Sequence, residues 1–275
     1  MSKLLRFTVL LFWLGFSMLI HPATAQYQLQ LAFKIDTPAV FISTDNLDNI
    51  YVVTQRNQLL KYNPSGKLLW NYSNKAFGKL GYVNATDPMR VLLFYPAIQQ
   101  VVVLNNNLNE ITRFNFGQDA SRLISLVATA NSNGYWIYDQ ANQQLQRLGN
   151  QFESELSSGN IYQLTNLALQ PTVIQASDQF VYLFDPKFGI FQFDRFGNFL
   201  NLIKTESDNF QVKNNEIYFF RNNEWDCYKI ASSEKIRLYT FDEKVLQASE
   251  GSKLLATLSN EGVKVYSIIN RDEKK

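Results

Sequence analysis

The 275-residue chain has a single cysteine, Cys227, and a single histidine, His21. One cysteine excludes a disulfide within the chain. The histidine falls in the first 25 residues, which read below as a removable leader, so the remainder has none. That excludes catalytic triads and general bases built on histidine, and with them most zinc, copper and haem sites. Charge is also sparse, at 18% of residues. Removing the leader takes two of the 26 basic residues, Lys3 and Arg6, and leaves the basic side equal to the 24 acidic residues. A neutral chain carries no electrostatic footprint for nucleic acid. Beyond the leader no apolar run is long enough to span a bilayer. Cys227 lies in Trp225-Asp226-Cys227-Tyr228, within an expected strand, without the electropositive neighbours that activate a thiol; an inert buried thiol is expected.

The first residues have the build of a secretory signal. Lys3 and Arg6 form a basic start, Phe7–Ile20 is mostly apolar, and Ala23-Thr24-Ala25 is a small-x-small cleavage site. Position 26 is Gln, so cleavage exposes no cysteine for a lipid. The expectation is residues 1–25 as signal peptide, 26–270 as one domain and 271–275 as a charged tail. The protein is then exported to the periplasm or outer surface of a bacterial envelope, and is not an N-terminal lipoprotein. A domain of this length buries enough core to fold without disulfides.

What the chain has in place of charge is amide, aromatic and β-branched residues in a repeating order. Asp48-Asn49 is a turn pair before Ile50–Val53; Gln55-Arg56-Asn57 breaks the chain before Leu59–Tyr62; Asn63-Pro64-Ser65-Gly66 turns it into Leu68-Leu69-Trp70. Copies of this pattern run through 126–146, 173–198, 210–230 and 246–266, with a less regular one at 82–116. The central residues of the second strands are Tyr51, Leu93, Trp136, Tyr182, Tyr218 and Leu255, at intervals of 42, 43, 46, 36 and 37 residues. That is the period of a propeller blade of four short strands. The fold expected is all-β: a six-bladed β-propeller of four-stranded antiparallel blades. Five or seven blades follow if one weak copy is miscounted. The last copy has room for only about three strands. Residues Gln28–Ile35 alternate cleanly between apolar and polar, and this N-terminal strand is expected to join the last blade and close the ring.

The pattern Asp48-Asn49-x-Tyr51-Val52…Leu60-x-Tyr62-x-x-x-Gly66, echoed in 178–197, resembles the repeats of NHL-like and PQQ-like β-propellers, and the resemblance runs from Gln28 to about Ile269. It implies a fold shared by envelope scaffolds, including the propeller lipoproteins of outer-membrane protein assembly, by sensors and by metal-dependent lactonases. The chain departs from the lipoproteins at its cleavage site. It lacks the regular tryptophan-docking signature of PQQ enzymes, so no quinone is expected.

No cofactor, metal or catalytic group is expected. Asp45-Asn46-Leu47-Asp48-Asn49 looks like a calcium loop, but Leu47 holds a ligand position and no Gly or distal Glu follows in register, which favours turn capping. The turns between second and third strands gather on one face of a propeller. Arg56, Tyr95, Lys187, Phe188 and Arg221 stand on them and form the candidate binding rim, with Trp225 nearby, since Arg and aromatic residues dominate interface energetics. The function expected is a non-catalytic platform for another envelope protein, such as an outer-membrane assembly or secretion machine. A second reading is a glycan- or small-ligand-binding sensor; a third is a metal-dependent hydrolase of the lactonase type.

Overall fold

A computed structural model describes residues 27–130, 133–207 and 209–270; the expected signal peptide and charged tail lie outside them. The chain opens with β1 (Tyr27–Ile35) and then forms the first blade from β2 (Ala39–Thr44), β3 (Ile50–Thr54), β4 (Leu59–Tyr62) and β5 (Leu68–Tyr72). The second blade is β6 (Tyr82–Asn84), β7 (Val91–Tyr95), β8 (Gln100–Leu104) and β9 (Glu110–Asn115). The third is β10 (Ile124–Thr129), β11 (Tyr135–Asp139), β12 (Gln144–Leu148) and β13 (Ser154–Ser157). The fourth is β14 (Val173–Ala176), β15 (Phe180–Asp185), β16 (Gly189–Asp194) and β17 (Phe199–Ile203). The fifth is β18 (Asn209–Lys213), β19 (Glu216–Arg221), β20 (Glu224–Lys229) and β21 (Glu234–Thr240). The sixth is β22 (Gln247–Glu250), β23 (Leu254–Ser259) and β24 (Gly262–Asn270), completed by β1, which pairs antiparallel with β24 from Tyr27↔Asn270 to Ile35↔Val263. The six-bladed propeller and its closure by the N-terminal strand are thus as the sequence leads one to expect.

Each junction between neighbouring blades holds its own apolar cluster, and the sixth blade packs on the first through Ile35, Ile42, Val52, Ala256 and Val265. A blade is therefore buried on both faces. This is why second strands such as Ile50–Thr54, Val91–Tyr95 and Tyr135–Asp139 are apolar without alternation and wholly buried. The longest interval, Trp136 to Tyr182, contains a feature the strand pattern does not reveal: a single helical turn, α1 (Ile161–Thr165). Asn160 caps it by accepting from Gln163 N at 2.9 Å, and Ile161 anchors it in the core between third and fourth blades. No helix among the described residues is long and apolar enough to cross a membrane.

The innermost strands leave one backbone edge toward the channel, and glutamine side chains satisfy part of it. Gln175 on β14 donates to Phe210 O (3.0 Å) and accepts from Val212 N (2.7 Å) on β18. Gln211 on β18 bonds both backbone groups of Glu250, and Gln247 on β22 bonds both of Ile42 across the closing junction. These side chains act as a substitute strand between blades. They account for part of the amide content.

Candidate functional site

The turns between second and third strands do share one face, because each lies beside the start of its blade's innermost strand. Gln55 N donates to Pro38 O (3.1 Å), and Gln140 N to Leu123 O (2.8 Å). Of the rim residues, Arg56 is exposed, and Lys187 is exposed with its ammonium 4.9 Å from the Phe188 ring. Phe188 is half-buried, edge-on to Phe191, and Arg221 is exposed and ion-paired with Glu206. Tyr95 is different, at 1% exposure. It shares a face of β7 with Val91 and Leu93, so the two-residue period turns it inward against the first blade, edge-on to Phe77 at 5.3 Å. Burial raises its hydroxyl pKa. Of the five side chains expected on this face, Arg56, Lys187, Phe188 and Arg221 therefore reach its surface and Tyr95 does not. Trp225 is likewise buried, with Nε1 donating to Glu250 Oε2 at 3.1 Å.

The same face shows what most of the turn amides do. Every blade has a left-handed residue at the entry to its third strand: Asn57, Gln99, Gln143, Gly189, Asn223 and Gly262. At four of these positions the amide reaches the connector into the next blade. Asn57 accepts from Leu80 N (2.7 Å) and donates to Gly78 O (2.6 Å). Gln99 bonds both backbone groups of Ile124, Gln143 both of Leu169, and Asn223 accepts from Val245 N. The signal for this was an Asn or Gln in one slot of four repeats. Read one turn at a time, it looks like ordinary turn preference.

On the opposite face, Asp45 and Asp48 are capping groups. Asp45 is buried and accepts from Leu47 N, Asn49 N, Asn49 Nδ2 and Tyr51 OH at 2.8–3.0 Å. Asp48, at φ 61°, accepts from the backbone N–H groups of Ser252, Lys253 and Leu254 at 2.7–3.0 Å and so ties the first blade to the sixth. Among the described residues no group of three or more His, Cys, Asp or Glu is arranged to hold a metal ion.

The densest titratable cluster lies between fifth and sixth blades, beside a cavity of ≈ 730 Å³ lined in part by Tyr27, Lys213, Tyr218 and Glu250. Glu250 is 3% exposed; Lys213 Nζ lies 3.1 Å from its Oε1. Tyr218 OH donates to Glu216 Oε2 at 3.0 Å, and Cys227 Sγ to the same oxygen at 3.5 Å. Burial and then the Glu216 carboxylate push the Cys227 thiol up to about 12, which keeps it protonated. Burial also raises the Glu250 carboxyl above the ordinary glutamate range, against the pull of Lys213 and Trp225. A carboxyl whose folded pKa exceeds its unfolded one, near ~4.3, stabilises the fold fully below the unfolded value and loses that contribution as pH rises through the folded value. The melting temperature is therefore expected to fall as pH rises across this window, and Glu250→Gln, which keeps an acceptor for Trp225, is expected to flatten the profile. Superimposable profiles would remove Glu250 as the cause.

No family model matches the chain, and no curated protein matches it. The NHL-like or PQQ-like label for the repeat thus finds no family match, while the propeller fold is widely shared among solved structures. Streptogramin B lyase is similar at a TM-score of 0.57 and 14% identity, over 90% of this chain and 89% of that one. BBS1N, solved in complex with ARL6DN, is similar at 0.58 and 8% identity, over 90% and 98%. PorZ, described as an essential bacterial surface component of the type-IX secretion system of Porphyromonas gingivalis, is similar at 0.56 and 10% identity, over 86% of this chain and 32% of that one. Identities this low show a common fold alone. They correct one expectation nonetheless: a lyase is built on this frame over nearly its whole length, so the propeller gives no ground for calling the chain non-catalytic. The described residues hold no histidine, which removes only histidine-dependent chemistry from them; the buried Glu250 and Tyr218 and the half-buried Lys213 are in place.

Proposed function

We propose that the chain is an exported propeller of a bacterial envelope that binds another protein, which adds a strand to the outer edge of its first blade. The supporting observation is β5. Outermost strands expose unpaired backbone groups and are normally guarded by charge. Here β9 carries Glu110 and Arg113, β13 carries Glu155, β21 carries Glu234, Lys235 and Arg237, and β1 carries Lys34. In β5 the sequence is Leu68-Leu69-Trp70-Asn71-Tyr72, with Leu68 47%, Leu69 38% and Trp70 44% exposed. In β17, also uncharged, most of the apolar side chains are tucked in. Phe33 of β1 lies against Gly66, where an added Cβ would stand 2.7 Å from its ring, so the neighbouring outer strand meets the first blade just before β5. An extended partner segment pairing with β5 would gain ladder hydrogen bonds and alternate side-chain contacts. The leader-like N-terminus supports export. Neighbours of the same fold that are described in a secretion system or in a protein complex fit this reading.

The test is capture of partners by mild crosslinking in the producing cell. Leu68→Lys combined with Trp70→Glu is expected to abolish the captured species while shifting stability by roughly 0.5 kcal/mol or less, as exposed substitutions do. If that variant captures normally while joint truncation of Arg56, Lys187, Phe188 and Arg221 abolishes capture, the partner sits on the rim and the edge assignment is wrong.

A further inference from the structure

We propose, on the reading of β5 as the docking edge, that the strand a partner adds there is continued by aspartate or glutamate residues, which a basic cleft at the C-terminal end of β5 receives. The cleft is open, ≈ 610 Å³, and lies between the turn after β3 and the connector from the first blade to the second. Arg56 stands on the turn. Ser73, Lys75 and Lys79 stand on the connector, which leaves β5 directly after Tyr72. All four are exposed. No acidic residue lines the cleft, and Asp36, on the adjoining link between β1 and β2, is not part of its wall.

The fold does not use these cations. Arg56, Lys75 and Lys79 form neither an ion pair nor a side-chain hydrogen bond with any described residue, and the Ser73 hydroxyl and Gln55 amide beside them are likewise unengaged. Every other arginine among the described residues faces a carboxylate or an aromatic ring. The frame that carries the cations is nevertheless fixed. Asn57 donates to Gly78 O and accepts from Leu80 N, so the backbone of Lys79 is held on both sides against the turn bearing Arg56. Leu80 is buried in the core between first and second blades, and Phe77 packs edge-on to Tyr95. Three cations on a braced frame hold a positive potential that no neighbour neutralises.

Carboxylates on the arriving segment complement that potential and supply what β5 lacks. From Leu68 to Tyr72 the strand is uncharged, so its ladder offers affinity without long-range attraction and without a marker of register. An added strand can slip by two residues and still turn the same face toward the blade. Ion pairs beyond Tyr72 select one position and speed the encounter. Residues 63–67, which lead into β5, hold one cation, Lys67, so the acidic residues belong at the Tyr72 end. Each exposed ion pair is weak alone, and several carried by one segment are needed.

Fluorescence anisotropy of labelled peptides on the full exported chain tests the proposal. The probes are an alternating Thr-Val strand with Asp-Glu-Asp-Glu at its first or at its last end, to suit an antiparallel or a parallel approach. The same strands with Asn-Gln-Asn-Gln tails, and the acidic tail alone, are the controls. One orientation of the acidic-tailed strand is expected to bind about tenfold tighter than its amide counterpart at about 0.1 M salt, and the gap to close at about 1 M, where the Debye length is about 3 Å. Lys79→Glu is expected to weaken that probe severalfold with an unchanged melting temperature. Lys67→Glu, the same change of charge at the other end of β5, is expected to leave it within about twofold. Equal losses from these two variants would mean unspecific attraction and overturn the proposal. Equal affinity of acidic and amide tails would also overturn it, with the docking edge intact. If the acidic tail alone binds as well as the tailed strand, or Leu68→Lys with Trp70→Glu leaves the strand probes bound, the edge reading itself falls and the proposal with it. No binding of any strand probe up to about 1 mM, the range of weak specific sites, overturns it as well. So does tighter binding of inorganic tripolyphosphate, which would make the cleft a small-anion site.

Discussion

A chain that begins at Thr37, without β1, is expected to lose its cooperative unfolding transition or to aggregate on expression. Three consequences of the deletion act together. It removes Ile35 from the core between sixth and first blades, and Tyr27 and Leu29 from their packing between fifth and sixth. It takes Phe33 off Gly66. It also leaves β24 as an open edge carrying Val263, Val265, Tyr266 and Ile268. At about 1.5–3 kcal/mol for each well-buried apolar side chain, the loss is roughly 5 kcal/mol or more, comparable with the whole stability of many domains. The exposed edge then favours pairing with other chains. Thermal unfolding followed by circular dichroism, with light scattering, reads both effects. A truncated chain that stays monomeric and melts at the temperature of the intact one would mean that β1 is dispensable and that the other ties between first and sixth blades, at Asp48 and Gln247, suffice.

The second large effect is expected at Asp45. Its carboxylate is the common acceptor for two backbone N–H groups, the Asn49 amide and the Tyr51 hydroxyl, all in a buried setting. Its charge also partly offsets the burial that lowers the pKa of Lys61, whose ammonium lies 5.3 Å from the Tyr51 ring and donates to Asn106 O at 2.9 Å. Asp45→Ala leaves several buried donors without a partner at once, an expected loss of about 3 kcal/mol or more, which for a domain of this size lowers the melting temperature by roughly 10 °C. Asp45→Asn keeps one acceptor oxygen and is expected to cost less. EDTA or millimolar calcium is expected to leave the melting temperature of the unaltered chain in place, because the oxygens of Asp45 and Oδ1 of Asp48 face N–H and O–H donors of the protein. A calcium-dependent rise would show that these donors yield to a cation; an Asp45→Ala chain as stable as the original would show that the donors find other partners.

The architecture is legible in the sequence because a propeller repeats its physical problem six times. Each blade is buried on both faces, so each second strand must be an apolar run, and the anchors Tyr51, Leu93, Trp136, Tyr182, Tyr218 and Leu255 all fall inside the strands expected of them. Turn chemistry marks the strand ends, and the clean alternation of Gln28–Ile35 beside an incomplete last copy identifies the strand that closes the ring. The site was less legible. Whether a residue at a strand end faces solvent or the next blade depends on register, and one step decides it. Tyr95, in line with Leu93, went inward, while Arg56, Lys187 and Arg221 stayed outside. The tasks of Asn57, Gln99, Gln143 and Gln247 lie in hydrogen bonds to chain segments of other blades, from about 20 to 205 residues away, and local pattern carries no trace of such partners. The gathering of Arg56, Lys75 and Lys79 round one cleft, the burial of Glu250 against Lys213 and the bare edge of β5 are likewise products of assembly. Local periodicity and turn chemistry determine the blades; only closing the ring decides which polar groups meet, which are consumed in holding the blades together, and which are left to bind something else.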